Sequence, residues 1–438
     1  MKLKTVIKNV LLGSVAGLAM VGTAAAADLP VKAKAAEYVK ICSTYGAGFY
    51  YIPGTDTCLK VGGYVRADTY YTDIDAKSRY TSPDVLFRAS DDPDGQSYFL
   101  TRVGVQLDAR TQTEYGTLRS YFEGRFNAGE DYGFGQEIET GDFSFSDGSV
   151  NSASLKYGYI QFAGFTFGRA TSAFDFWAGD GWQGIQPGSF YSDSTLNVIQ
   201  YTADFGNGFS ATIALEDSYG REDEYANFVE LQGQQVPDIV ANIAYEGTWG
   251  AFKVSGAWHQ IGDWNPLLEN GDQLVGYSND DSGWAVLAGV RFDFAETTTL
   301  YVEGAYASGA PGYLGLAGTV PVVDLSGNAV SGWYVGGALI HYWTPSVFTG
   351  VVGSYTQTDN FQTSYSYDDL EVDGVASTDF TGYNVGVNIG WVPVKGLTLV
   401  LQYDYLSAEY AGTDYINAAA LSTEVTQNRV TFSAKRSF

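Results

Sequence analysis

The chain has 438 residues, of which 17% are charged, and its acidic residues outnumber its basic ones by 26. This excess of negative charge argues against nucleic-acid binding. It favours contact with divalent cations or with an anionic outer surface. Aromatic residues make up 15% of the sequence, with 33 tyrosines, and there are 53 glycines. Such a composition favours many strands, tight turns and aromatic rings at a membrane surface.

The first 27 residues have the layout of a secretory signal peptide. Three lysines precede an apolar run from Val10 to Val21 and a small-residue tail that ends at Ala27. The run is too short for a membrane anchor, and no later stretch reaches the roughly 18 apolar residues that a spanning helix needs. We therefore predict an exported chain with three parts: residues 1–27 as signal peptide, 28–57 as an N-terminal periplasmic segment and 58–438 as a transmembrane β-barrel.

The sequence contains two cysteines, Cys42 and Cys58. An oxidising compartment such as a bacterial periplasm favours their pairing as a disulfide, with free thiols as the alternative. Closing a loop of this size stabilises a fold by about 3 kcal/mol in the chain-entropy model. Two cysteines without nearby histidines fill only half of a structural zinc shell, which argues against a metal site here.

About sixteen segments alternate apolar and polar residues with the period of a β-strand. In the stretch YNVGVNIGWVP, for example, Tyr383, Val385, Val387, Ile389 and Trp391 share one face, whereas asparagines and glycines share the other. Most of the segments reach the 9 to 11 residues that a tilted strand needs to cross a bilayer. The pattern predicts a 16-stranded antiparallel transmembrane barrel with lipid outside and water inside.

The gaps between these segments alternate in length. Short gaps such as those at Ala163–Gly164, Phe205–Gly208 and Pro393–Gly396 are interleaved with polar gaps of about twenty residues. This rhythm is typical of hairpins threaded across a membrane, with short periplasmic turns and long extracellular loops. It argues against a soluble sandwich or a surface adhesin, which are the competing interpretations.

Two of the long gaps are strongly acidic. They run from Leu215 to Glu230 and from Ser364 to Phe380. We interpret them as solvated loops; the alternative is a weak Ca²⁺ site or a bridge to lipopolysaccharide. No other cofactor is expected.

Basic residues recur in the inward phase of the first three barrel segments. If the apolar phase faces lipid, five arginines converge on one wall of the lumen: Arg66, Arg102, Arg110, Arg119 and Arg125. Asp68, Asp108 and Glu123 share that phase, so structural salt bridges are one interpretation. Because the arginines outnumber these acids, the other is a basic wall in a narrow part of a channel, where fixed charges discriminate among ions.

The third long gap, from Gly168 to Thr195, mixes acids with large aromatic residues. Phe174, Phe176, Trp177 and Trp182 suit a loop packed against an inner wall better than one exposed to water, although they also suit a cap over the mouth or a subunit contact. We predict that this loop folds inward. Its acids Asp175, Asp180 and Asp193 would then lie across from the arginines and set a transverse field.

The sequence resembles the general porins of the alphaproteobacterial outer membrane. The resemblance lies in DLPVKAKAAEYVKICSTYGAGFYYIPGTDTCLKVGGYVR at 28–66, in FGRATSAFDF at 167–176 and in the terminal Phe438. It implies a homotrimer of sixteen-stranded barrels in the outer membrane, among lipid and lipopolysaccharide, that passes small hydrophilic solutes and ions by passive diffusion. It also places Asp175 and Asp180 in an eyelet loop, facing the five arginines of the wall.

A hydrolase and a substrate-selective porin are the two other candidate functions. A hydrolase is disfavoured because Ser255 and His259 lie about 13 Å apart along one strand, and the other histidine, His341, lies in an aromatic-rich segment. We therefore expect no enzymatic activity. A substrate-selective porin stays open, with Trp177 and Trp182 as candidate contacts for a sugar. The sequence also leaves the sign of ion selectivity open.

Overall fold

The computed structural model of the protein describes residues 40–81, 86–91, 95–129, 133–136, 143–146, 151–177, 184, 190–221, 229–232, 235–261, 263–266, 282–367, 372–414 and 419–438. Sixteen strands of this part of the chain form one closed antiparallel barrel. They are β1 (Cys58–Thr81), β2 (Gln96–Thr113), β3 (Gly116–Gly129), β4 (Ser152–Phe162), β5 (Phe165–Thr171), β6 (Thr195–Gly206), β7 (Phe209–Glu216), β8 (Asp238–Gly247), β9 (Gly250–Gln260), β10 (Ser282–Phe294), β11 (Thr298–Ser308), β12 (Ser331–Thr344), β13 (Val347–Thr358), β14 (Val372–Val394), β15 (Leu397–Asp414) and β16 (Ala419–Ser437).

Each strand pairs with its neighbours in the chain, and the first strand also pairs with the last. Tyr64 of β1 lies opposite Gly104 of β2 on one side and Ser437 of β16 on the other. This second pairing closes the sheet, so no barrel strand is left with an unpaired edge. The predicted 16-stranded antiparallel barrel is confirmed.

Short turns alternate with longer loops around the barrel. At the turn between β4 and β5, Ala163 and Gly164 have φ of 50° and 87°, and Asn207 and Gly208 between β6 and β7 have 53° and 86°. Positive φ at both central residues suits the twist of a two-residue hairpin. The turns all lie at one end of the barrel, called here the turn side, and the longer loops lie at the other, the loop side.

Smaller elements extend the barrel. Strands Leu86–Asp91 and Phe361–Tyr367 pair with the loop-side ends of β1 and β14. Two further antiparallel pairs join Gly133–Gln136 to Phe143–Ser146 and, between two different loops, Val229–Gln232 to Asp263–Pro266. The described residues also include short 3₁₀ helices at Ser43–Tyr45, Ser218–Arg221 and Pro311–Leu314. None of the described helices has the length and apolar character that crossing a membrane requires.

The alternation in β14 separates an outer face from an inner face. Tyr383, Val387 and Trp391 are between 38% and 52% exposed, whereas Asn384 and Asn388 are at most 2% exposed. Side chains on a strand alternate between faces, so the apolar residues point out of the barrel and the small or polar ones point inward. A barrel with this outer surface is suited to hydrocarbon.

Aromatic rings cluster on the outer face near the turn side. The ring centroids of Phe209 and Tyr245 lie 4.9 Å apart, and the ring of Tyr245 stacks on that of Trp249 at 5.6 Å. Trp249 in turn contacts Phe292 of β10. Rings at this height form the aromatic girdle that marks a membrane interface.

The segment before β1 folds onto the turn side of the lumen. Cys42 and Cys58 form a disulfide, which confirms the predicted pairing. The short strand Tyr50–Tyr51 pairs with the start of β1. Phe49 packs on the disulfide, and the guanidinium of Arg110 lies 5.1 Å from its ring centroid. Residues 1–39, which include the predicted signal peptide, lie outside the described residues.

A charge on the outer face of β14 should destabilise the barrel. Val387 lies midway between the outward aromatic residues Tyr383 and Trp391, at the level expected for the middle of the bilayer. We expect Val387→Arg to lower the free energy of unfolding by about 2–4 kcal/mol, because the cation meets hydrocarbon. Guanidinium titration in lipid vesicles measures this, with Val387→Leu as the control. Equal stability of the two variants would contradict a lipid-facing Val387.

Candidate functional site in the barrel lumen

The five predicted arginines all project from the inner face of β1, β2 and β3. Arg66 donates from Nε to Asp68 Oδ2 at 2.7 Å, and Arg125 donates from Nε to Glu123 Oε1 at 2.9 Å. The partner in each pair lies two residues away on the same strand, so the alternation that places the arginine inside also places its carboxylate there. Both contacts are structural salt bridges, which was one of the two interpretations of these arginines.

Arg110 and Arg119 share one carboxylate. Both donate two hydrogen bonds to Asp108, at distances between 2.7 and 3.0 Å. Arg102 donates to Asn127 Oδ1 at 2.7 Å and is nearly buried. Bidentate contacts of this kind hold the guanidinium groups in fixed orientations along the wall.

The basic wall is larger than the five arginines. On β16, Lys435 lies opposite Arg66 and Arg429 lies opposite Thr72, and Lys60 occupies the turn-side end of β1. Across the described inner faces of β16, β1, β2 and β3, eight basic side chains therefore face three acidic ones. The period-2 alternation of the last segment is the sequence pattern that places Arg429 and Lys435 on the inner face. We call this surface the basic wall.

The loop between β5 and β6 is described at residues 172–177, 184 and 190–194, and the first and last of these parts lie inside the lumen against the wall opposite β1 and β2. Asn242 of β8 donates to the carbonyl oxygen of Ala173 at 2.6 Å, and Lys253 of β9 donates to the carbonyl oxygen of Asp175 at 2.6 Å. The amide of Trp177 donates to Glu303 of β11 at 3.0 Å. These backbone contacts tie the loop to three inward-facing strand positions in succession.

The far part of the same loop is also anchored. The amide of Phe190 donates to Ser354 Oγ of β13 at 3.0 Å, and its ring lies 5.8 Å from that of Phe380 in β14. The described part of the loop is thus attached to strands from β8 to β14. The predicted inward-folded third loop is confirmed. Asp180 and Trp182 lie outside the described residues.

Much of the inner face behind this loop consists of small apolar residues. Buried residues there form one cluster with the loop: Ala214, Ala257, Ala285, Leu287, Ala305, Ala307, Ala338 and Val352. A Cβ atom at Gly289 would lie 2.2 Å from the ring of Phe176, and one at Gly382 would lie 2.6 Å from that of Phe190. The lumen face is therefore polar along the basic wall and on β14, whereas behind the loop it combines small apolar residues with polar anchors such as Asn242 and Glu303.

Asp175 is held inside the loop. It is 2% exposed, and its carboxylate accepts hydrogen bonds from Ser192 Oγ at 2.5 Å, from the amide of Ser194 at 2.6 Å and from Arg221 at 3.1 Å. The residue lies in the predicted loop, but its charge is paired there rather than turned toward the basic wall. Asp175 thus fixes the shape of the loop.

Arg221 is a buried residue of this site that no pattern in the sequence indicated. It belongs to the acidic stretch interpreted as a solvated loop, yet it is 2% exposed, and Glu216 in the same stretch is fully buried. Its Nη2 donates to Ser172 at 2.7 Å as well as to Asp175. Burial by itself lowers the pKa of Arg221, but the Asp175 carboxylate outweighs this, and the pKa is raised. The solvated interpretation is wrong for these two residues, because each has a partner inside the barrel.

A second loop, residues 309–330 between β11 and β12, packs on the first. The Tyr313 ring lies 3.9 Å from the Arg221 guanidinium, and its hydroxyl donates to Asp238 Oδ2 at 2.6 Å. Burial raises the pKa of Tyr313 well above its usual range, so the phenol stays neutral and donates. Leu314 and Leu316 join the same apolar cluster as the loop at 172–194. No pattern in the sequence pointed to this inward packing.

The residues weighed for hydrolysis do not form a catalytic pair. His259 Nδ1 lies 2.8 Å from Asp238 Oδ1, and both side chains are buried behind Tyr313. The hydroxyl of Ser255 has no hydrogen-bond partner in the described part of the chain. The described residues also contain no group of three or more metal-ligating side chains. Residues 222–228 and 368–371 of the acidic loops lie outside the described ranges, and the Ca²⁺ alternative there stays a prediction.

Comparison with known proteins now assigns the family. The family model described as Porin subfamily matches residues 28–433. The chain belongs to this porin family. Porin Omp2b of Brucella suis is 31% identical over 331 residues, covering 69% of this chain and 75% of that protein. Porin Omp2a of Brucella ovis is 33% identical over 318 residues, covering 69% and 80%.

Solved structures support the porin architecture. The outer-membrane channel DcaP of Acinetobacter baumannii superposes with a TM-score of 0.59 at 16% identity, covering 89% of this chain and 99% of that one. OmpF of Salmonella typhi superposes with a TM-score of 0.50 at 12% identity, covering 87% and 98%. At this identity the likeness shows the fold alone. Together with the family, it makes this porin a multi-pass β-barrel channel of the outer membrane for passive diffusion of solutes.

Removing Arg221 should loosen the inward loop. Arg221→Met leaves the buried Asp175 carboxylate without its cation, a change that typically costs about 3–5 kcal/mol. We expect a larger and noisier single-channel current in planar bilayers, because the loop leaves the wall part of the time. Arg169→Met is the matched control, since Arg169 lies on the outer face of β5. A quiet Arg221→Met channel with unchanged conductance would contradict the anchoring role.

Proposed function

We propose that small hydrophilic solutes and ions cross this porin through a constriction between the basic wall and the loop at 172–194. The observation that carries the proposal is the row of backbone contacts from Asn242, Lys253, Glu303 and Ser354, which fixes the loop across the lumen. In a closed sixteen-stranded barrel, β9 and β10 lie opposite β1 and β2. The narrowest passage then runs between the fixed loop and the arginines.

Passage through such a constriction requires no chemical step. A rigid loop sets a size limit, because its aromatic residues are packed against the wall and cannot yield to a larger solute. Fixed charges at the narrow zone then bias which ions enter. The mechanism is diffusion down a gradient, with the loop as sieve and the basic wall as charge filter.

We infer that the constriction favours anions. The basic wall carries a surplus of positive charge, and across from it the carboxylate of Asp175 is neutralised by Arg221. The net charge of −26 belongs to the whole chain and acts mainly where charges meet open solvent. External charges are screened within about 8–10 Å in physiological salt, whereas charges at a narrow passage act at contact distance.

Neutralising the basic wall should shift ion selectivity toward cations. Arg66 and Arg125 lie on adjacent parts of the wall and interact electrostatically with Lys435. We expect Arg66→Gln/Arg125→Gln to move the reversal potential across a KCl gradient toward that of a cation-selective pore. Arg79→Gln is the control, because Arg79 projects outward near the loop side. A reversal potential that is the same in all three proteins would exclude a selective role for the wall.

We further propose that the porin assembles as a homotrimer among lipid and lipopolysaccharide, as the sequence resemblance implies. The outer face of β14, with Val385 and Ile389 more than half exposed, suits either hydrocarbon or a neighbouring barrel. Acidic loops on the loop side suit divalent cations that bridge to lipopolysaccharide phosphates.

Native mass spectrometry in detergent tests this assembly. We expect a mass of three chains that persists after EDTA, since apolar surface holds the barrels together. Bound lipopolysaccharide should fall on EDTA treatment if divalent cations bridge it to the acidic loops. A single-chain mass in mild detergent would contradict the trimer, and lipopolysaccharide retained after EDTA would contradict the cation bridge.

A further inference from the structure

A cavity of about 390 Å³ lies in the inner wall formed by β3, β4, β5 and β6. Its lining includes three tyrosines and three hydrogen-bonding side chains: Tyr121, Tyr157, Tyr159, Arg119, Gln161 and Gln200. The volume falls in the roughly 300–1,000 Å³ range of small-molecule sites. We call it the tyrosine cavity.

The three tyrosines form a continuous aromatic surface. Tyr121 stacks on Tyr159 with ring centroids 5.3 Å apart and planes 26° apart, and it meets Tyr157 at 6.3 Å. All three side chains are half-buried, with the Arg119 guanidinium 5.1 and 5.5 Å from the ring centroids of Tyr121 and Tyr159 and Lys156 Nζ 5.6 Å from that of Tyr157. Aromatic faces that remain open to a cavity can bind the apolar face of a ring by stacking.

Arg119 holds the wall of the cavity in place rather than adding net positive charge to the cavity. Its Nε and Nη2 both donate to Asp108, its Nη1 donates to Gln161 Oε1 at 2.9 Å, and its guanidinium lies 5.1 Å from the Tyr121 ring. The positive charge is therefore already opposed by a carboxylate. A ligand carboxylate or phosphate would compete with Asp108 for these donors, which disfavours an anion here.

Gln200 offers a hydrogen-bond acceptor to a ligand in the cavity. Its Oε1 atom is buried and has no hydrogen-bond partner in the described part of the chain. An acceptor in this position needs a donor, and a buried acceptor left without one costs free energy. A hydroxyl group supplies that donor, whereas a carboxylate or phosphate is an acceptor only.

We propose that the tyrosine cavity is a binding subsite for a neutral pyranose sugar. The apolar face of the ring stacks on the surface of Tyr157 and Tyr159, and a hydroxyl donates to Gln200 Oε1. The subsite rests on the proposed channel function and adds a solute class to it. Binding there is weak enough for release, as conduction requires.

Sugar titration of single channels in planar bilayers tests the subsite. For the wild-type channel we expect D-glucose to reduce the KCl current along a saturating curve. The open-chain polyol sorbitol carries similar hydroxyls but no ring face, and should give only the linear decrease caused by viscosity. Tyr159→Ser and, separately, Gln200→Leu should each raise the half-blocking glucose concentration about three- to tenfold, from lost stacking or lost hydrogen bonding.

Tyr342→Ser is the matched control, because Tyr342 also faces inward near the turn side but lies on β12 outside the cavity. It should leave the glucose curve unchanged. A wild-type protein that shows no KCl conductance would contradict the proposed channel function. Normal conductance without saturable glucose block, or block unchanged in both cavity variants, would overturn the subsite alone. Stronger block by benzoate than by glucose would overturn the neutral-sugar assignment.

Discussion

Closure of the sheet between β1 and β16 is the constraint on which the rest of the molecule depends. Hydrocarbon offers no hydrogen-bond partner, so every peptide group of a spanning strand must be paired within the protein. Tyr64–Thr81 pair in unbroken register with Ala420–Ser437, which removes the last free edge. Once the cylinder is closed, the two-residue period decides for every side chain whether it meets lipid or the lumen.

The lumen is divided into a charged half and a packed half. On β16 and β1 to β3, ionic side chains line the inner face and pair with one another, as Arg66 does with Asp68. From β7 to β14, alanines and glycines leave room for aromatic residues of an inward loop. In its described part, the carbonyl of Ala173 and the amide of Trp177 are bonded by the strand side chains Asn242 and Glu303. Burying loop backbone inside a barrel is tolerated only because these partners satisfy it.

Much of this plan could be predicted from the sequence, because both the period of a strand and the spacing of turns are local. The sixteen strands, the outer face of β14 and the inward direction of Arg66 to Arg125 all follow from alternation. The partner of Asp175 does not, since Arg221 is 46 residues away and belongs to a stretch whose composition indicates solvent. The packing of Tyr313 depends on yet another loop. Contacts between loops are set by tertiary structure, and no periodic pattern records them.

The two glycines behind the inward loop carry a consequence for how such pores diverge. Phe176 and Phe190 rest on Gly289 and Gly382, where even a methyl group would collide with the rings. The size of the residue at these two positions therefore sets how far the loop extends into the channel. A substitution at either glycine would displace the ring that rests on it, and so would change the width of the channel without altering any residue of the basic wall.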